Sequence, residues 1–476
     1  MKQPDHDEAN RYGVTLQPAH DRLSSRRRIF ILAVIFFTAL SVRLINWYGS
    51  RNEVYFVQTN VALNYKHLAG LIRANGLASL YDPAATTSDP GLSGHPPGYP
   101  VLLSLIYRVS PASDTAAQLC QIILDALSVV TITLIGFELL PAAVGLIAGI
   151  LAAFAPQFSW NAMLLLPDTL AALPILLAIL LIIRAGKRMG TAASASLLAI
   201  LGAGALIGVS CWLRANALLL APFLALLFSF FFKPRTRLRP ALVLVAGALL
   251  IILPLTIRNA LVFAKFIPIS LGAGQTLIEG LADYDTDGSL GLPQTDMELI
   301  RGEAETFHRP DYANSLFSPD GVERDRARMA RGLAVIRAHP FWFFGVVVRR
   351  AASMLRLERT PLRLDAIESG SWQLLFHSPL RMLQKLFITA VFLPLTLLGA
   401  LILICQRRFQ ALGILLAVPF YYFCTQSVLH TEYRYVLVIH FFLFVLAAFA
   451  IYSVIYQLSR PFRKTAGRAI NNVALH

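Results

Sequence analysis

Ten runs of mostly apolar residues, each near the length that crosses a bilayer, constrain this chain more than any other feature. A transmembrane helix needs about 20 such residues. The runs lie at approximately 29 to 48, 114 to 136, 140 to 160, 168 to 184, 193 to 212, 215 to 232, 239 to 257, 383 to 404, 409 to 426 and 435 to 457. Backbone polar groups inside a bilayer must be paired within the segment, so runs of this kind become helices. The expected fold is an all-α polytopic membrane protein with about 10 transmembrane helices. Composition agrees: charged residues are 14% and mean hydropathy is +0.60, against roughly 25% charged residues in a soluble domain.

The 42 Lys and Arg against 27 acids give a net charge of +15, which in a soluble protein would suggest nucleic acid. Here the basic clusters Arg26 to Arg28, Arg184 to Arg188, Lys233 to Arg239, Arg407-Arg408 and Arg460 to Arg468 sit between alternate spans. With the N-terminus inside, all of them fall on the cytoplasmic side. The charge therefore orients the chain and meets anionic lipid, and no nucleic-acid partner is expected. Residues 1–28 and 458–476 read as cytoplasmic tails around a transmembrane domain at 29–457, with large external loops at 49–113 and 258–382. Ser25 to Arg28 followed by Ile29 to Val42 resembles a secretion signal, but no small-residue cleavage site follows, so it reads as an uncleaved first span. Cys120, Cys211, Cys405 and Cys424 are too dispersed for a disulfide framework or a zinc site.

Loops this long between spans are usually functional. In the first, Val61 to Asn75 places Leu63, Leu68, Leu71 and Ile72 near one helical face and predicts an interfacial helix stopped by Gly76. His95-Pro96-Pro97-Gly98-Tyr99-Pro100 then forms a rigid elbow, because each proline fixes φ and removes a donor. It feeds an apolar stretch, Val101 to Val109, too short to span.

In the second loop, Asp283, Asp285, Asp287 and Gly288 match half of a calcium loop, yet its twelfth position is Gln294 where a bidentate Glu belongs. A solvated acidic turn is expected. His339-Pro340 leads through Phe341 to Val348 into Arg349, Arg350, Arg356, Arg359 and Arg363, a strip that suits an interfacial helix meeting lipid phosphate.

Ionisable groups at membrane depth are expensive, so they narrow the search for chemistry. Asp125, with Gln121 one turn earlier, predicts a buried hydrogen bond within a span. Asp168 opens a span after Pro167, where its carboxylate can cap the helix. Glu432 and Arg434 lie two apart and share no helical face; beside Tyr433 and Tyr435 they read either as an arginine that grips a phosphate while the acid orients it or as an ordinary aromatic and charged border of the span. Arg258-Asn259 ends the seventh span. The threading puts Asp168, Arg258 and Arg434 on the elbow's side of the membrane.

The order of these elements resembles the GT-C class of integral-membrane glycosyltransferases, especially bacterial relatives of the dolichyl-phosphate-mannose protein mannosyltransferases and the aminoarabinose transferases. The matching residues are Tyr65 with Ala69 and Gly76, the HPPGYP elbow with Val101-Leu102-Leu103, Pro156, Pro167-Asp168, Arg258-Asn259 and Glu432-x-Arg434-Tyr435. The resemblance implies hexosyl or pentosyl transfer from a polyprenyl-phosphate-linked donor to a glycan, lipid or protein acceptor, on the external face of a bacterial inner membrane. It implies Asp168 and Glu53 as catalytic carboxylates, and contacts from His95, Arg258 and Arg434 to donor phosphate. Tyr99 and Tyr435 would shape the cleft, and Glu432 would join the substrate-binding residues beside Arg434. The cofactor is left open, a divalent cation included.

The chain departs from the pattern at one place. Relatives carry an acid about four residues before the tyrosine that matches Tyr65, and this chain has Val61-Ala62 there. Either Glu53 substitutes, or Asp168 or Asp82 carries the role, or the chemistry is lost. Two other functions stay in view. A transporter or flippase of a lipid-linked substrate would show paired intramembrane charges and an inverted repeat, and neither stands out. A non-catalytic polyprenyl-phosphate-binding member of the family would account for the missing acid.

Overall fold

The structure, a computed structural model, describes residues 24–57, 59–80, 94–110, 113–232, 237–358 and 373–473, and no strand occurs among them. Among the described residues seven helices are long and apolar enough to cross a membrane, or up to 10 if each bent helix pair is one span. The all-α polytopic expectation holds.

Ser25–Val57 (α1) is a single helix and Thr59–Asn75 (α2) follows it. α2 stops at Gly76, whose φ of +75° only glycine adopts without strain. The buried face of α2 is Ala62, Tyr65, Leu68, Ala69 and Ile72, whereas Leu63 is 59% exposed. At 100° per residue Leu63 lies about 140° around the helix from Leu68, so it belongs to another face.

The elbow opens Gly98–Val109 (α3), with Pro100 in the first turn where a missing N–H costs nothing. A Cβ on Gly98 would stand 2.5 Å from the carbonyl oxygen of Trp212, so only glycine lets α3 approach this closely.

Asp114–Leu139 (α4) is capped by Ser113, which accepts from the Ala116 amide at 3.1 Å. The span expected at 140 to 160 is two helices, Ala142–Phe154 (α5) and Pro156–Met163 (α6), bent by 51°. Pro156 has no N–H, and the break frees carbonyls that other elements take up. Arg43 donates to Ala153 at 3.3 Å, and Gln384 donates to Phe154 at 3.1 Å.

Asp168–Arg188 (α7) and Ala193–Leu213 (α8) are full spans. The span expected at 215 to 232 is not a single helix. It consists of two 3₁₀ turns around the short helix Leu220–Leu226 (α9), because Pro222 cannot donate to Leu218.

Leu238–Phe263 (α10) leads to a small packed unit of Ala273–Ala282 (α11), Asp296–Thr306 (α12), Gly321–Ala338 (α13) and Pro340–Ser353 (α14). The last two meet at 107°. Inside the unit Glu303 receives hydrogen bonds from Arg324 (2.9 Å) and Arg328 (2.5 Å). The acidic turn folds on its own backbone: Asp285 accepts from the amides of Leu290 and Leu292, and Asp287 from that of Ser289.

The arginine strip divides. Arg349 is exposed and lies over the Tyr284 ring, while Arg350 is 1% exposed and meets no lipid. Arg350 donates to the carbonyls of Ser427, Val428, Leu429 and Gly280 instead. Arg359 and Arg363 lie outside the described residues.

The chain closes with Ser378–Gln384 (α15), Thr389–Cys405 (α16), Phe409–Val428 (α17) and Leu437–Val473 (α18), so helix continues past residue 458, where a tail was expected. The main apolar core joins α4, α5, α7, α8, α10, α17 and α18. Asp125 makes a 2.5 Å ion pair with Arg43, which pins α1 to α4.

Candidate active site

The N-terminus of α7, the C-terminus of α8, the α17–α18 connection and the elbow meet at one end of the bundle. Asp168 is the first residue of α7 and is 6% exposed. Its carboxylate does not cap the helix; Oδ1 instead accepts from Arg214 Nε at 2.8 Å and Nη2 at 2.5 Å. Arg214 is the C-cap residue of α8, and its guanidinium lies 4.2 Å from the ring centroid of Tyr435. Asp168 Oδ2 is buried and has no hydrogen-bond partner among the described residues. Asp168 borders a cleft that Arg214, Asn216, Tyr422, Arg434 and Tyr435 also line.

A turn, rather than a shared helical face, brings Glu432 to Arg434 at 2.6 Å, and Tyr435 Oη donates to Glu432 at 2.9 Å. His430 stands between Asp283 at 3.2 Å and Glu432 at 3.8 Å. Burial alone would raise the Glu432 pKa, but hydrogen bonding from His430 and the charge of Arg434 hold it at about 2. Burial alone would lower that of His430, and hydrogen bonds to Asp283 and Glu432 reverse this to about 9. His430, Glu432 and Arg434 are therefore all charged at neutral pH.

On the elbow, the His95 ring sits 5.2 Å from that of Tyr65, which meets Tyr99 edge-on at 5.1 Å. Burial, then the charges of Arg214 and Arg434, depress the His95 pKa to about 4, so it is a neutral imidazole at physiological pH.

The structure thus brings Asp168, Arg434 and Tyr435 to one cleft, with Glu432 behind Arg434 and His95 in electrostatic reach. Tyr99 is 0% exposed and turns to Gln121. Arg258 does not line this cleft: it donates to the Leu80 carbonyl and to Asn259, whose amide in turn holds the carbonyls of Ile267 and Ile269. Glu53 falls in the last turns of α1 with its side chain outside the described residues, and Asp82 lies outside them altogether.

Sequence reasoning missed Arg214. A signal existed, since the alternation expected from the sequence puts a lone arginine, between the fifth and sixth apolar runs, on the side that the basic clusters avoid. Asn216 and Tyr422 gave none. Among the described residues no three His, Cys, Asp or Glu side chains converge as metal ligands. A carboxylate oxygen without a partner beside two guanidinium groups can take a hydroxyl proton while the cations hold an anion.

Residues 94–257 match the family model described as dolichyl-phosphate-mannose-protein mannosyltransferase. No curated protein matches the chain. The oligosaccharyltransferase of Archaeoglobus fulgidus tethered with an acceptor peptide is similar, with a TM-score of 0.54 at 17% identity over 92% of this chain and 50% of that one. AglB from the same organism, in complex with an inhibitory peptide and a dolichol-phosphate, gives 0.54 and 17% over 93% and 52%. ArnT from Cupriavidus metallidurans bound to undecaprenyl phosphate gives 0.36 and 14% over 90% and 77%. The chain spans about half the length of the archaeal proteins that it resembles. In fold it is a GT-C-like, multi-pass membrane protein.

Proposed function

We propose that the chain transfers a sugar from a polyprenyl-phosphate-linked donor to a hydroxyl or amide acceptor on the external face of a bacterial inner membrane. One observation carries the reading: Asp168 lines a cleft with Arg434, and one of its oxygens is gripped by Arg214 while the other is buried without a partner among the described residues. In the transfer the acceptor heteroatom bonds to the anomeric carbon as the bond from that carbon to the phosphate oxygen breaks. Arg434 and Arg214 stabilise the charge that the departing phosphate gains. Asp168 Oδ2 takes the acceptor proton, and its charge also favours the cationic character that develops at the sugar. His95, as a neutral imidazole, offers one N–H to the phosphate, and Glu432 keeps Arg434 aimed at it. Asp168 fills the role that Val61-Ala62 leaves vacant in the loop. The family model, which covers the elbow through α10, supports the polyprenyl-phosphate donor; the sugar is a hexose or pentose.

Incubation of the purified chain with radiolabelled polyprenyl-phosphate sugars and membrane acceptors tests this. Label moving to an acceptor is the expected result. Donor binding without transfer would assign a non-catalytic binding role, and intact donor crossing a vesicle bilayer would assign a flippase.

A further inference from the structure

We propose that Gln121, held in turn by Tyr99 of the elbow, is a positioning residue that sets the Asp168 carboxylate; the inference rests on the role of Asp168 given above. α6 ends at Met163, and four non-helical residues separate it from Asp168. A helix C-terminus leaves several carbonyls unpaired, and inside a bundle they need donors.

α4 supplies them from two glutamines on one face. Gln121 Nε2 donates to the carbonyls of Ala162 at 3.2 Å and Leu164 at 2.5 Å. Gln118 Nε2 donates to Met163 at 2.9 Å. Both amides are fixed from the other side: Trp47 Nε1 donates to Gln118 Oε1 at 2.9 Å, and Tyr99 Oη to Gln121 Oε1 at 2.5 Å. Gln121 is 1% exposed and Tyr99 0%, so water does not compete for these bonds.

The brace therefore runs from the elbow through Tyr99 and Gln121 to the Leu164 carbonyl, four residues before Asp168. Across the site Arg214 fixes the carboxylate from the front, and Ser210 Oγ holds the Ala171 carbonyl one turn into α7 at 2.9 Å. The non-helical stretch has no helical ladder; a turn bond from the Leu166 amide to the Leu164 carbonyl at 2.8 Å shares that acceptor with Gln121. Misplacement of a reacting group by about 1 Å costs roughly a hundredfold in rate. The elbow thus contributes to chemistry from behind, through a tyrosine that touches no substrate.

The test uses the full chain with Tyr99→Phe, which removes one hydroxyl, and Gln121→Leu. Two quantities are measured: hydrogen exchange in peptides covering 164–171, and transfer kinetics. Exchange there rises about tenfold in both variants. kcat falls about tenfold for Tyr99→Phe and about a hundredfold for Gln121→Leu, with donor KM within about twofold. The double variant is no slower than Gln121→Leu, because both act through one bond. A role confined to folding would lower the melting temperature and leave kcat of the folded fraction unchanged. Unchanged exchange at 164–171, unchanged kcat or a loss carried by KM alone overturns the proposal. If wild type transfers nothing, the proposed function fails, and the exchange measurement still decides the brace.

Discussion

At the scale of single residues, the buried acids Asp125 and Asp168 are each held by an arginine. Arg43 and Asp125 are 0% and 1% exposed. Removing one partner of such a pair costs about 3–5 kcal/mol, because the other is left buried and unpaired, whereas an apolar pair of similar volume is often neutral. Asp125→Asn should therefore lower the thermal midpoint in detergent sharply, and Arg43→Met with Asp125→Leu should recover most of it. Both acids, Asp125 and Asp168, were legible in the sequence, since a carboxylate in an apolar run stands out. Their partners were not. Arg43 sits inside a run scored as apolar, and Arg214 sits in a two-residue gap between spans. A sequence gives the cost of a buried charge but not the neighbour that offsets it.

At the scale of elements, prolines decide where spans break and polar side chains repair the breaks. Pro156 and Pro222 were visible, yet hydropathy averages over them, so 140 to 160 and 215 to 232 read as continuous. Arg350 left the expected lipid-facing strip for a related reason, while Arg349 and Arg356 stay exposed: spacing places Arg350 on α14 but cannot show that the end of α17 lies within its reach. Arg350 serves three terminal carbonyls there, and leaving a buried carbonyl unpaired costs about 1–3 kcal/mol. Arg350→Ala should loosen the unit of α11 to α14, seen as faster tryptic cleavage between 264 and 353, with the spans still protected. Arg350→Lys should rescue only in part, because a point charge cannot reach as many acceptors as a planar fork.

At the scale of the whole molecule, the strip from Asp283 to Arg434 ties that unit to the end of the bundle that carries the cleft. His430 titrates at about 9, above its ordinary 6.5. Its contribution to stability is therefore complete below pH 6.5 and lost as pH rises through about 9. Glu432 titrates at about 2, below 4.5, so its contribution is complete above pH 4.5 and lost as pH falls through about 2. Thermal unfolding in detergent should show a midpoint that declines between pH 6.5 and pH 10, and His430→Gln should flatten that decline.

Threading the spans correctly set Asp168, Arg434 and the elbow at one end of the bundle. It fixes only the side of the membrane on which a residue emerges, not its lateral place, and so it gathered Arg258 to the same cleft when Arg258 braces Leu80 instead.

The central claim is that Asp168 is the group through which this cleft transfers a sugar. The most direct measurement is a single turnover with labelled polyprenyl-phosphate sugar bound before acceptor is added, in wild type and in Asp168→Asn. Loss of a positioned acid–base group costs about 10²–10⁴ in rate, so label should pass to acceptor in wild type and stay on the donor in the folded, donor-bound variant. Transfer by Asp168→Asn at the wild-type rate would contradict the account.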